Sequence, residues 1–183
     1  MPTHLDPAVD WFLRTGFLAL FASSLAHKVY TFGEFRLTVA AYFRGVPWAS
    51  SGLVAVLAGL VVVGEFAVVA ACVGLLDGLW RALLTGGVLA LYALAMGGNL
   101  WRGNRQLDCG CHWGAVSQPV TMGLVWRNVV LAGVALLMAV PVATRSLNVL
   151  DFVTVLAGCA IAGLFYAGFN RLVALPLNTG GVR

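Results

Sequence analysis

Residues 51–76 read SGLVAVLAGLVVVGEFAVVAACVGLL, and this stretch decides the fold. It carries one charged side chain, Glu65, in a run longer than the roughly 20 residues a helix needs to cross a hydrocarbon core of about 30 Å. Working outward, residues 82–101 form a second uncharged run, and 128–144 and 152–170 approach the same length. Four spans follow, at about 51–76, 80–101, 122–142 and 149–173. Residues 11–30 make a fifth, because Arg14 and Lys28 stand near opposite ends, where long side chains reach the interfaces. A cleaved signal peptide competes for this segment. The acidic residues Asp6 and Asp10 before it, and the lack of a small-residue cleavage site, favour a retained helix.

Composition agrees. Hydrophobic residues make up 61% of 183 positions and charged residues 10%, against about 25% charged in a soluble domain. Bilayer backbone must satisfy its own hydrogen bonds, and the runs are helix-length rather than short alternations, so the fold class is an all-α integral membrane bundle. Short linkers imply a single membrane domain. The net charge of +4 comes from one lysine and ten scattered arginines, which argues against a nucleic-acid partner. Placed on alternate sides, Lys28, Arg36, Arg44, Arg102, Arg105, Arg127, Arg171 and Arg183 share one face, against Arg14, Arg81 and Arg145. By the positive-inside rule the N-terminus is outside and the 102–119 loop is cytoplasmic.

After the first span, Phe32, Phe35, Val39, Tyr42, Phe43 and Val46 recur at helical spacing between polar Glu34, Arg36, Thr38 and Arg44. This reads as an amphipathic interfacial helix stopped by Pro47, with Trp48 as a headgroup anchor. It covers the bundle or docks a partner.

The loop at 102–119 holds Cys109-Gly110-Cys111. In an extended chain, residues i and i+2 lie up to about 7 Å apart at Cα, near the upper limit for a disulfide, so a bridge here needs a contracted turn that Gly110 permits. Such a small ring is strained, and strained disulfides are labile and oxidising. Arg102 and Arg105 favour thiolate and His112 can carry a proton, while Asp108 opposes them. The same Cys109, Cys111 and His112 form a candidate soft-metal set for Cu(I); a structural zinc site wants four ligands at wider spacing. Cys72 and Cys159, among small apolar residues, read as packing cysteines or as a transmembrane relay.

Glu65 is expensive to bury as a lone charge, so it is protonated or meets a cation. His27, Lys28 and Arg127 are the candidates, with Asn128 beside Arg127, and the role is a register-fixing contact or a proton relay. Gly74-x-x-x-Gly78 offers close helix contact. The flanks Trp101, Trp113 and Trp126 are interfacial anchors or part of a quinone site.

The order of these pieces resembles the MauE family of methylamine-utilisation membrane proteins, itself akin to DoxX-like proteins. SLAHKVYTFGEF, FRLTVAAYFRGVP, an intramembrane glutamate, RGNRQLDCGCHWG and WRNVVLAG carry the resemblance over residues 11–142. Its specific part is Cys109, Gly110, Cys111 and Gly114 with Arg127-Asn128 downstream. Where the family commonly has an aromatic residue after CGC, this chain has His112 and then Trp113. The resemblance implies a four-helix DoxX-like core plus one helix in a bacterial plasma membrane. It also implies thiol–disulfide redox in the maturation of exported proteins, beside a separate thioredoxin-like protein. Disulfide-bearing clients are extracytoplasmic, which conflicts with the charge count unless electrons cross the bundle. A non-catalytic subunit or assembly factor of a larger membrane complex is the competing class.

Overall fold

The computed structural model describes residues 4–104 and 120–174. Among the described residues six α-helices run in order: α1 Pro7–Tyr30, α2 Phe32–Tyr42, α3 Ser51–Ala70, α4 Gly78–Trp101, α5 Met122–Leu136 and α6 Val149–Ala174. Five are long and apolar enough to cross a membrane: α1, α3 with its extension to Leu75, α4, α5 with its extension to Ala139, and α6. At 1.5 Å per residue, the 24 residues of α1 reach about 36 Å, enough for the hydrocarbon layer.

Local chemistry sets the boundaries. Asp6 caps α1 by accepting the Ala8 N–H at 2.8 Å, and Pro7 takes a position where its missing donor is no loss. The helix therefore starts before Trp11 and carries Asp10 inside, 5% exposed. Ser50 caps α3 through the Leu53 N–H at 3.2 Å, and Asp77 caps α4 through the Trp80 N–H at 3.0 Å, starting that helix two residues ahead of the expected Trp80. The α-helical part of α3 ends at Ala70 in a wider turn, Ala71–Leu75, closed by Gly74 at φ +115°, a conformation that favours glycine. Gly74 and Gly78 accordingly do not form one helical ridge. Gly78 alone makes the close approach: a Cβ there would lie 2.6 Å from the Met138 carbonyl oxygen. After Leu136, α5 tightens into one 3₁₀ turn ending at Ala139, short of the expected 142, because Pro141 follows. The helix expected to run to Pro47 stops at Tyr42, and Gly45 at φ +82° turns the chain.

The packing is polar inside and apolar outside. Asp10, Ser24, Lys28, Glu65, Arg81, Thr85, Asn99, Asn128 and Asn170 are buried, while Leu94, Leu164 and Phe165 are at least 70% exposed. Water would punish this arrangement; lipid favours it. An apolar core of Leu13, Phe17, Phe21, Val68, Ala82, Leu89, Ala135 and Met138 joins α1, α3, α4 and α5. Helix α4 packs most extensively on α5, and α6 leans on α1.

One end of the bundle is laced shut. Leu5 donates its N–H to the Pro141 carbonyl at 2.8 Å, and Ala143 donates to the Leu5 carbonyl at 2.9 Å. Arg145 grips Asp6 at 2.9 Å and Asp151 at 2.8 Å. The Arg145 hydrogen bond, helped by the Ala8 N–H, holds the Asp6 carboxyl below its ordinary pKa. Arg14 and Arg81 at this end both flank Asp10, at 3.6 and 3.8 Å. At the other end, Arg36, Arg44, Arg102 and Arg171 are exposed.

Candidate functional site

The Cys109-Gly110-Cys111 segment, with Arg105, His112, Trp113 and Gly114, lies outside the described residues. Its two anchors do not. Helix α4 ends with Asn99, which is buried and donates to the Ala95 carbonyl at 3.0 Å, while its own Oδ1 accepts from Asn104 at 3.2 Å. On the far side of the loop, Val120 is 2% exposed and packs with Met96 and Leu124 against Ala41, Tyr42 and Val173. Both ends of the segment are thus pinned to the same end of the bundle, beside α2.

Below those anchors sits Glu65, fully buried in α3. Its Oε1 accepts three hydrogen bonds: from Lys28 Nζ at 2.7 Å, Ser24 Oγ at 2.8 Å and the Tyr92 hydroxyl at 2.7 Å. Lys28, 1% exposed, also reaches Ser24 Oγ at 2.6 Å and lies over the rings of Phe35 and Tyr92 at 5.3 and 5.5 Å. Ser24 and Lys28 are one turn apart on α1, so they share a face toward α3. Of the three cations considered for Glu65, geometry selects Lys28. A buried ion pair of this kind stands only when its remaining donors and acceptors are also satisfied. Here the other carboxylate oxygen, Oε2, has no hydrogen-bond partner among the described residues.

Glu65 lines a partly open cavity of about 220 Å³ between α1, α3, α4, α5 and α6. Arg127 and Asn128 of α5 enter it, opposite Tyr166 and Asn170 of α6. Arg127 donates to Asn170 Oδ1 at 2.6 Å and lies 5.0 Å from the centre of the Tyr166 ring, and among the described residues no carboxylate comes within 4.0 Å of it. Asn128 is 3% exposed and its amide donates to the Leu124 carbonyl at 2.9 Å. His27 is half-buried and does not line the cavity; its carbonyl accepts from Thr31. Trp101 and Trp126 point outward, 93% and 59% exposed, as interfacial anchors do.

A second polar cluster occupies the laced end. Asp10 and Arg81 are buried there, and Arg14 donates its Nε–H to the Cys72 carbonyl at 3.2 Å. Cys72 is a buried free thiol in the apolar core, and Cys159 is a half-buried free thiol with its Sγ 3.8 Å from the Phe12 carbonyl. Among the described residues no three His, Cys, Asp or Glu side chains gather as metal ligands.

A bundle of five membrane-length helices, a lysine–glutamate pair between α1 and α3, and an arginine–asparagine pair opening α5 below a cysteine loop make a specific combination. The family model described as methylamine utilisation protein MauE matches residues 6–141. The chain belongs to the MauE family. Curated MauE relatives include methylamine utilization protein MauE of Paracoccus denitrificans, 33% identical over 173 residues, covering 93% of this chain and 90% of the relative. The Paracoccus versutus protein of the same name is 31% identical over 172 residues, with the same two coverages. That of Methylophilus methylotrophus is 26% identical over 188 residues, covering 93% and 89%. No solved structure matches the chain. The MauE match ends before α6, so Tyr166 and Asn170 come from outside the matched segment.

Several site residues escaped the sequence reading: Ser24, Tyr92, Asn170, Tyr166 and buried Asp10. Two left a signal. Ser24 precedes Lys28 by one helical turn, and Tyr92 interrupts the otherwise apolar LALYALAM. Asn170 meets Arg127 across 43 residues, a contact no local pattern announces.

Proposed function

We propose that this MauE-family chain is the membrane component of a thiol–disulfide redox system. Cys109 and Cys111 alternate between disulfide and dithiol, and the process served is the maturation of exported proteins in methylamine utilisation, the process for which its relatives are named. A partner dithiol attacks the loop disulfide; a mixed disulfide forms and resolves, leaving the partner oxidised and the loop reduced, and the partner in turn bridges the client. Arg105 favours the attacking thiolate and His112 carries its proton. A separate thioredoxin-like protein relays between loop and client.

The observation that supports this reading is that the segment carrying the cysteine pair joins α4 to α5. These two helices pack most extensively on each other, so their ends offer a rigid platform for an exchanging loop. The Glu65–Lys28 pair fixes α1 against α3 beneath it.

The test is differential alkylation of opened membranes, in which a thiol reagent reaches both faces, before and after reduction. Labelling of Cys109 and Cys111 only after reduction, with client maturation lost in the Cys109→Ser/Cys111→Ser variant, is the expected result. Normal maturation in that variant overturns the reading. Copper retained in stoichiometric amount by purified protein, and lost with His112→Ala, would replace it with soft-metal handling.

A further inference from the structure

We propose that the cavity beside Glu65 and Arg127 binds the ring of a membrane quinone, which accepts the electrons released when Cys109 and Cys111 form their disulfide. This rests on the thiol-redox reading above and names the oxidant that reading needs. Two observations converge on it. Glu65 is fully buried, lines the cavity and has one carboxylate oxygen without a hydrogen-bond partner among the described residues. Arg127 enters the same cavity with a fixed positive charge that no described carboxylate matches within 4.0 Å. An intramembrane cation so placed marks a ligand or ion site.

The two groups ask for different things. Arg127 wants an electron-rich oxygen; Glu65 Oε2 wants a donor. A phosphate headgroup satisfies the first and is repelled by the second. A quinone ring fits both: its carbonyl oxygen accepts from Arg127, and in the reduced form its hydroxyl donates to Oε2. Phe21 and Leu89 supply an apolar wall. At about 220 Å³ the cavity is smaller than the roughly 300–1,000 Å³ that encloses a drug-sized ligand. It holds a single ring, with the tail left in lipid. The exit for that tail is the seam between α5 and α6, which touch only sparsely because α6 leans on α1.

The site also lies close to where the described chain resumes after the cysteine segment. Asn128 is six residues past the start of α5, so the cavity is about 9 Å along the axis below the point where the cysteine loop joins that helix. The step balances. Two thiols become one S–S bond and release two electrons and two protons, and the two quinone carbonyls take up both to become hydroxyls. Tyr92, Ser24 and Lys28, all hydrogen-bonded to Glu65 Oε1, hold the carboxylate in position while Oε2 faces the reduced ring.

The experiment uses full-length protein in phosphatidylcholine nanodiscs, titrated with decylubiquinone and read by quenching of intrinsic fluorescence. Saturable binding is expected in wild type and, unchanged, in Cys109→Ser/Cys111→Ser. Arg127→Gln should weaken it about tenfold or more, as loss of a charge-assisted hydrogen bond implies. Ala167→Phe, which fills the cavity from an exposed position of α6, should weaken it similarly with the thermal midpoint retained, and so keeps the test decisive if Arg127→Gln unfolds. Pre-reduced wild type should convert decylubiquinone to quinol mole for mole, and the serine pair should not. Binding that is unsaturable, indifferent to Ala167→Phe, or displaced by phosphatidylglycerol overturns the quinone site. Quinone binding without quinol formation, in protein whose cysteines do cycle in cells, overturns the electron-acceptor role while leaving the thiol reading intact. Intact quinone binding in a chain whose cysteines never cycle overturns the thiol reading while the site itself stands.

Discussion

Replacing Lys28 with methionine removes the cation from a carboxylate that is 0% exposed, and Lys28 itself is 1% exposed. Breaking one side of a buried pair costs about 3–5 kcal/mol, because the remaining charge is stranded. Tyr92→Phe removes one hydrogen bond to the same oxygen and Ser24→Ala removes one to it and one from Lys28, and such bonds average only about 0.6 kcal/mol inside membranes. The ordering is therefore Lys28→Met well above Ser24→Ala and Tyr92→Phe. The double variant Lys28→Met/Glu65→Leu removes both charges and strands only two hydroxyls, so its cost should fall back to about 1–2 kcal/mol. Reversible unfolding in mixed micelles, followed by circular dichroism, measures these four together with the single variant Glu65→Leu, which closes the double-mutant cycle. A Lys28→Met cost below about 1 kcal/mol, or a double variant as unstable as the sum of the singles, would refute the buried-pair account.

At Gly78, valine must displace the Met138 carbonyl 2.6 Å away and should destabilise the fold by about 1–3 kcal/mol, whereas Gly87→Ala, on the exposed face of α4 with nothing within 4 Å, should gain about 0.5–1 kcal/mol in the same unfolding assay. Asp6 has its pKa depressed in the fold, so its stabilising contribution is present above the ordinary carboxylate range and is lost as pH falls through the folded value. Thermal midpoints should thus drop more steeply on acidification below about pH 4 in wild type than in Asp6→Asn. Cys72→Ala should leave client maturation unchanged and lower stability by about 1 kcal/mol, since the buried thiol only fills the core; loss of maturation at normal stability would make it a relay instead.

What could be read from the chain follows the physics of each feature. Membrane spans are legible because a single term, transfer of apolar side chains into lipid, dominates over 20 residues at a time. The start of α1 was harder: Asp10 looks like an interfacial flank until Arg14 and Arg81 are seen to neutralise it inside the bundle. Glu65 announces itself as a lone charge in a 26-residue run, yet its partner depends on helix rotation, which placed Lys28 toward it and sent Arg127 to Asn170. Trp101 and Trp126 face outward, and the aromatic residues that line the cavity are Tyr92 and Tyr166, together with Phe21.

The two ends of the bundle differ in the electrical surface they show a bilayer. Arg14, Arg81 and Arg145 are matched by carboxylates, so that end is nearly mute. Arg36, Arg44, Arg102 and Arg171 stand open at the opposite end and would gather anionic lipid around the base of the cysteine loop, at about 1 kcal/mol for each basic side chain near a charged leaflet. Leaflet composition then becomes a second hold on which way round the protein sits, and neutral detergent strips it of that annulus first.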